Sequence, residues 1–316
     1  MWKKVLLTIL VCLLFLSLAE YATDYYMKRY PRLKSSYISQ VEQNADILVL
    51  GACEAALMVD PALVDSLTGY KTYNLGDPGA RFADNYLDLH QYLLFQKAPK
   101  YLLLHVSPES FYPIDDKLLT TYKHQAFLSD SVVFKVIKEL DPDYVRFSNI
   151  PFLKYSYYSI FSMYKIFGAI AYSLLNKKHP QDRDGFIPPP PFNQDTSALS
   201  ESNVITLDNY SWNSTEEKYF RKILSLCKDK GIAIVFYKLP YYRKYYNANL
   251  ELYKYEERIR HIATENNFHY FTYDTSSFTR DSSNYYKIEN NLLNRNTIPK
   301  FNKMLIRDLK DSVFIQ

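Results

Sequence analysis

A cysteine stands just beyond the glycine that closes an apolar run: Ile47-Leu48-Val49-Leu50, Gly51, Ala52, Cys53. Four apolar residues followed by glycine read as a short buried strand of a parallel sheet and the tight turn that ends it. Cys53 then lies at the carboxyl end of the strand, where open α/β sheets hold their ligands. A thiol is nucleophilic only as the thiolate, and the neighbouring Glu54 works against that form by raising the thiol pKa. A proton acceptor must come from elsewhere. His105, near the carboxyl end of a third apolar run, and His124 are candidates, and each is equally readable as a buried or surface histidine. His90 falls on a helical pattern and reads as a surface or partly buried side chain, while His269 opens a later strand at its amino end. Three cysteines make no disulfide framework, no Cys/His spacing suggests a metal site, and no cofactor is expected.

The elements that would position Cys53 follow in order. A second strand over 71–75 ends in Gly76-Asp77-Pro78-Gly79, and four of the chain's seven glycines (Gly51, Gly69, Gly76, Gly79) fall in this part. They shape one crevice or serve ordinary strand-to-helix turns. Asp60-Pro61 starts a helix that Gly69 ends. A long amphipathic helix spans 81–96, and a third strand spans 101–106, with Ser107 at its carboxyl end. Residues of about 111–212 interrupt the sheet. They contain a tyrosine-rich helical pattern over 154–176 and a polyproline run over 187–191. This insertion is expected to cap the crevice or to form a scaffold against the membrane or a partner. A helix over 215–230, a fourth strand over 231–236, a helix over 250–266, a fifth strand over 269–273 and a helix over 298–312 complete the pattern. The expectation is an α/β fold with a five-stranded parallel sheet covered by helices on both faces.

Before the sheet, Lys3-Lys4 precede fifteen uncharged residues, 5–19. This is a secretory targeting segment whose positive end stays cytoplasmic. Ser17-Leu18-Ala19 has the small residues of a cleavage site, whereas apolar character resumes with Tyr21, Ala22 and Tyr25-Tyr26. The favoured reading is an uncleaved anchor over 1–27, a polar tether over 28–45 and one α/β domain over 46–316. Net charge is +4 from 38 basic and 34 acidic residues, which makes no case for nucleic acid. Tyr (31) and Phe (19) are abundant, and core packing explains them at least as well as sugar-stacking surfaces.

The blocks 47–55, Val59-Asp60-Pro61 and Tyr73-Asn74-Leu75-Gly76 with Gly79 resemble the first two sequence blocks of the SGNH (GDSL-type) hydrolases, and more narrowly their membrane-anchored envelope branch. The resemblance is good over about 46–110, fair over 230–309 and weak between. It implies a three-layer flavodoxin-like fold and ester hydrolysis or acyl transfer, often on carbohydrates. It places Cys53 where the family carries its nucleophilic serine, and makes Gly79 and the Cys53 amide oxyanion donors. Ser107 stands in the third block, without the family's asparagine. In the last block, Leu293-Asn294 and the following helix match. Glu289 then takes the aspartate position and Leu292 the histidine position. Leucine cannot accept or relay a proton, so the resemblance implies a degenerate catalytic set. Two functions follow. One is a catalytically impaired envelope protein that binds or assists in glycan acyl modification, beside a membrane-bound acyltransferase or on an envelope glycan. The other is an active esterase or O-acyltransferase using Cys53 with Glu289 as an unusual partner. Either would be a single-pass protein of the cytoplasmic membrane with its domain facing the periplasm or the exterior.

Overall fold

A computed structural model describes residues 1–111, 118, 121–146, 148–156, 160–175, 184–187, 211–243, 252–274, 277–287 and 292–314. The chain divides into two compact units. One comprises Met1–Glu42, Leu87–Gln96 and Asp116–Asp182, and the other Gln43–Tyr86, Lys97–Asp115 and Arg183–Gln316.

The second unit holds the sheet. Strands β1 (Ile47–Leu50), β2 (Thr72–Asn74), β3 (Tyr101–His105), β4 (Ala233–Tyr237) and β5 (His269–Phe271) lie in the order β2-β1-β3-β4-β5, and every pair is parallel. This is the five-stranded parallel sheet expected from the apolar runs. The order reverses between β1 and β3, which creates a crevice at their carboxyl ends. Both faces are covered. Ile47, Val49, Leu103 and Val235 share a core with Val64 of the helix Pro61–Thr68 and with Phe301 and Leu305 of the helix Ile298–Ser312. On the other face Phe236 meets Phe220 of the helix Ser214–Lys230, ring centres 5.5 Å apart. The central strands β1, β3 and β4 are buried over most of their length, which is why they read as apolar runs rather than alternations.

Helix ends follow their sequence signals. Asp60 caps the helix Pro61–Thr68 by accepting from Ala62 N at 3.0 Å, and Gly69 closes it in a left-handed conformation. Asn213 caps Ser214–Lys230 through Thr215 N and Glu216 N. Beyond β5 a two-stranded antiparallel hairpin, β6 (Tyr285–Lys287) with β7 (Leu292–Leu293), occupies ground that the sequence pattern presents as loop. Two apolar residues are too short a run to announce a strand.

In the first unit the helix Trp2–Lys28 is continuous. It is the one helix among the described residues long and apolar enough to cross a membrane. Its lower end packs with the insertion: Met27, Tyr30 and Leu33 share a core with Tyr155, Ile166 and Ala169. The stretch 28–45 contains a short helix, Lys34–Tyr37, and Leu33 and Ile38 are buried. Within the helical pattern expected over 154–176, the described residues include the helices Leu153–Ser156 and Ile160–Leu174. The insertion returns to the second unit at 184–187, where Asn74 N donates to Asp184 O at 2.8 Å and Ile187 N to Ala56 O at 3.3 Å. The rest of the polyproline run lies outside the described residues.

Candidate functional site

Gly51 makes the site possible. Its φ is +146°, and a Cβ there would come within 2.7 Å of the His105 Cβ and 2.8 Å of the Ala55 Cβ. Only glycine lets the chain leave β1 this close to β3 and turn at once into the helix Cys53–Met58. Gly76 serves the same packing from β2, since a Cβ would stand 2.7 Å from both the Ala55 Cβ and the Ala56 N. Buried Asn74 ties the two turns together. Its Nδ2 donates to Ala55 O at 2.8 Å and Val59 O at 2.9 Å, and its Oδ1 accepts from Gly76 N at 2.9 Å. Gly51 and Gly76 thus serve the close packing of the two turns, while Gly69 caps a helix with open space around it.

Cys53 is the first residue of its helix and is partly buried. The Glu54 carboxyl and the amides of Cys53 and Gly79 are the groups that act on the sulfur electrostatically. Burial first, and the Glu54 charge and hydrogen bond next, push the thiol up to about 12, against a smaller downward pull from the amides of Cys53 and Gly79. Glu54 itself is pushed up to about 7, chiefly by burial and then by the nearby charge of Glu109. Glu109 follows β3 in a short 3-10 turn, Pro108–Phe111, and burial raises its pKa as well. It accepts hydrogen bonds from the Tyr241 hydroxyl and from Ser107, whose Oγ is 3.2 Å from the Ser110 Oγ. Glu54 Oε2, Glu109 Oε1, His105 Nε2 and the Tyr237 hydroxyl are buried and have no hydrogen-bond partner among the described residues. These four atoms make the interior beside Cys53 polar.

No described base serves the sulfur. His105 is held down to about 3, by burial first and then by the Lys238 charge. Its ring packs 5.4 Å from Tyr237, and it is neutral at any physiological pH. His124 belongs to the first unit, where its Nδ1 meets Gln91 Oε1 at 3.1 Å, and burial holds its pKa well below the usual range. His90 pairs with Asp130 at 3.0 Å, also in the first unit. Leu292 is buried on β7, in the apolar core that Cys53 borders, and the adjacent Leu293 N meets Met58 Sδ at 3.3 Å. Asn294 serves the fold, because its Oδ1 accepts from Asn296 N and Thr297 N, each at 2.9 Å, and so opens the last helix. Glu289 lies outside the described residues.

No protein-family model matches the chain, and no curated protein matches it. The site therefore rests on its own geometry. That geometry brings Cys53 and Gly79 together and connects Glu54, Glu109 and Ser107 beside them. Glu109 and Tyr241 escape a reading by catalytic residue type, although both sit just past the carboxyl ends of strands. Position after a strand is the signal that finds them.

Proposed function

We propose that this chain is a membrane-anchored envelope protein with an SGNH-hydrolase-like, three-layer α/β domain whose crevice binds rather than turns over. Its role is that of an accessory in glycan acyl modification, beside a membrane-bound acyltransferase or on the glycan itself. Lys3-Lys4 ahead of the apolar helix support a domain on the far side of the cytoplasmic membrane.

One observation carries the reading: Cys53 opens its helix partly buried next to the Glu54 carboxyl, with no histidine or lysine hydrogen-bonded to its sulfur among the described residues. A carboxyl near 7 is well tuned as a base in itself. The thiol near 12 defeats it. Burial and the adjacent carboxyl make the thiol the weaker acid of the two, so the proton stays on Cys53 and the thiolate is a minor form. A functioning general base is worth on the order of a hundredfold to ten-thousandfold in rate, and none is supplied. The second reading, an esterase using Cys53, draws support from the Gly79 amide at the sulfur and fails on the same proton.

The test is turnover of a 4-nitrophenyl ester and an acetylated sugar by the full-length protein in detergent. The expected rate matches that of Cys53→Ala. A rapid rate that Cys53→Ala abolishes overturns the proposal.

A further inference from the structure

A cavity of about 610 Å³ opens in the sheet-bearing unit beyond β4 and β5. Its size suits a small-molecule ligand. Three of its charged lining residues, Glu256, Arg260 and Asp274, belong to one set of ion pairs. Lys238, wholly buried, pairs with Glu256 at 2.5 Å and Asp274 at 2.6 Å, and Arg260 pairs with Glu256 at 2.6 Å and donates to Thr272 at 3.0 Å. Two cations and two carboxylates offset one another in this set.

The rim is different. Arg243 and Arg280 line the cavity, are exposed, and make no ion pair among the described residues. Glu257 lines it as well and is likewise uncommitted, so the rim carries one surplus positive charge. Tyr253 contributes an exposed ring, 45% accessible, to the same lining. Guanidinium groups recognise carboxylate and phosphate through paired parallel hydrogen bonds. A carboxylate such as Glu257 accepts from hydroxyls, and an exposed tyrosine ring offers an apolar face with a polar tip.

We propose that this cavity is a binding site for an anionic, hydroxyl-bearing ligand, a carboxylate or phosphate carried on a sugar or polyol. Arg243 and Arg280 take the anion, Glu257 takes hydroxyls, and Tyr253 lies against the ring. The site does not depend on the state of Cys53, and its test reads binding and no ester turnover.

Calorimetric titration of the full-length protein in detergent decides it, with glucuronate, glucose 6-phosphate and neutral glucose as probes. At least one anion is expected to saturate, to bind about tenfold or more tighter than glucose, and to weaken as salt is raised. The tighter of the two anions identifies the group as carboxylate or phosphate. Arg243→Ala/Arg280→Ala should weaken that binding by roughly tenfold to a hundredfold while leaving the melting temperature in place, since neither side chain holds the fold together. Arg243→Lys/Arg280→Lys should recover part of the loss by keeping the charge without the fork. Saturation by neither anion, glucose binding as tightly as both, or a double alanine variant binding like the parent would each overturn the assignment.

Discussion

A carboxyl held near 7 beside a thiol held near 12 makes Glu54 the residue that governs Cys53. Because the folded pKa of Glu54 lies above its ordinary 4.5, the native state holds a proton that the unfolded chain releases sooner. The stability from that proton is complete below about 4.5 and is lost as pH rises through about 7. Glu54→Gln removes the loss. The variant should be more stable than the parent at pH 8 by an amount on the order of 3 kcal/mol, with the two converging below pH 4.5, in urea titrations across that range. The same substitution takes the second-largest upward push off the thiol, so iodoacetamide should alkylate Cys53 faster at pH 8. Equal pH profiles for parent and variant would show that the carboxyl is not buried as described. Of this arrangement, the sequence shows the adjacency of thiol and acid. It does not show the burial that sets both values, because Glu109, Tyr241 and Tyr237 reach the crevice from distant strands.

The turns after β1 and β2 are where local sequence and packing agree most closely. Gly51, Gly76 and Asn74 stand in the chain as a glycine-rich pattern, and each has a steric or hydrogen-bonding reason in the fold. Asn74→Ala strips two donated bonds and one accepted bond from a fully buried place, while Ala55 O keeps only the Val59 amide at 3.4 Å as a backbone donor. A loss of about 2–4 kcal/mol in chemical unfolding is expected. Asn74→Asp should cost at least as much, since a carboxylate cannot donate to Ala55 O and Val59 O. A change under about 1 kcal/mol for either would mean that the clamp is not holding the helix Cys53–Met58 on the sheet. The central strands β1, β3 and β4 are legible for a related reason: they are buried over most of their length and carry apolar runs. The hairpin β6–β7 is not, because its pairing is non-local and β7 is two residues long. With it goes the environment of Leu292, which reads as a loop position and is a core side chain.

At the scale of the whole molecule, the N-terminal helix is two things in one element. Residues 1–15 are exposed along its whole circumference, as a segment facing lipid would be. From Glu20 onward the helix belongs to a folded unit. Lys154 reaches Glu20 at 2.7 Å and Asp24 at 3.1 Å, the Tyr155 hydroxyl donates to Asp24, and Thr23 and Met27 are buried. An acid placed four residues from another on one helix repels it, and the shared lysine turns that repulsion into attachment. The helix thus has a polar, protein-covered end where a bilayer would stop and an apolar end long enough to cross it. Retention of the segment, with the remainder on the trans side, makes a specific expectation for protease added to intact spheroplasts. The full-length chain should disappear, and a small membrane-embedded fragment containing Trp2 and ending near Glu20 should survive, recovered by mass spectrometry of the membrane pellet. Cleavage after Ala19 would instead leave the mature chain starting at Glu20 and no such fragment. A cytoplasmic domain would leave the whole chain protected until the membrane is dissolved.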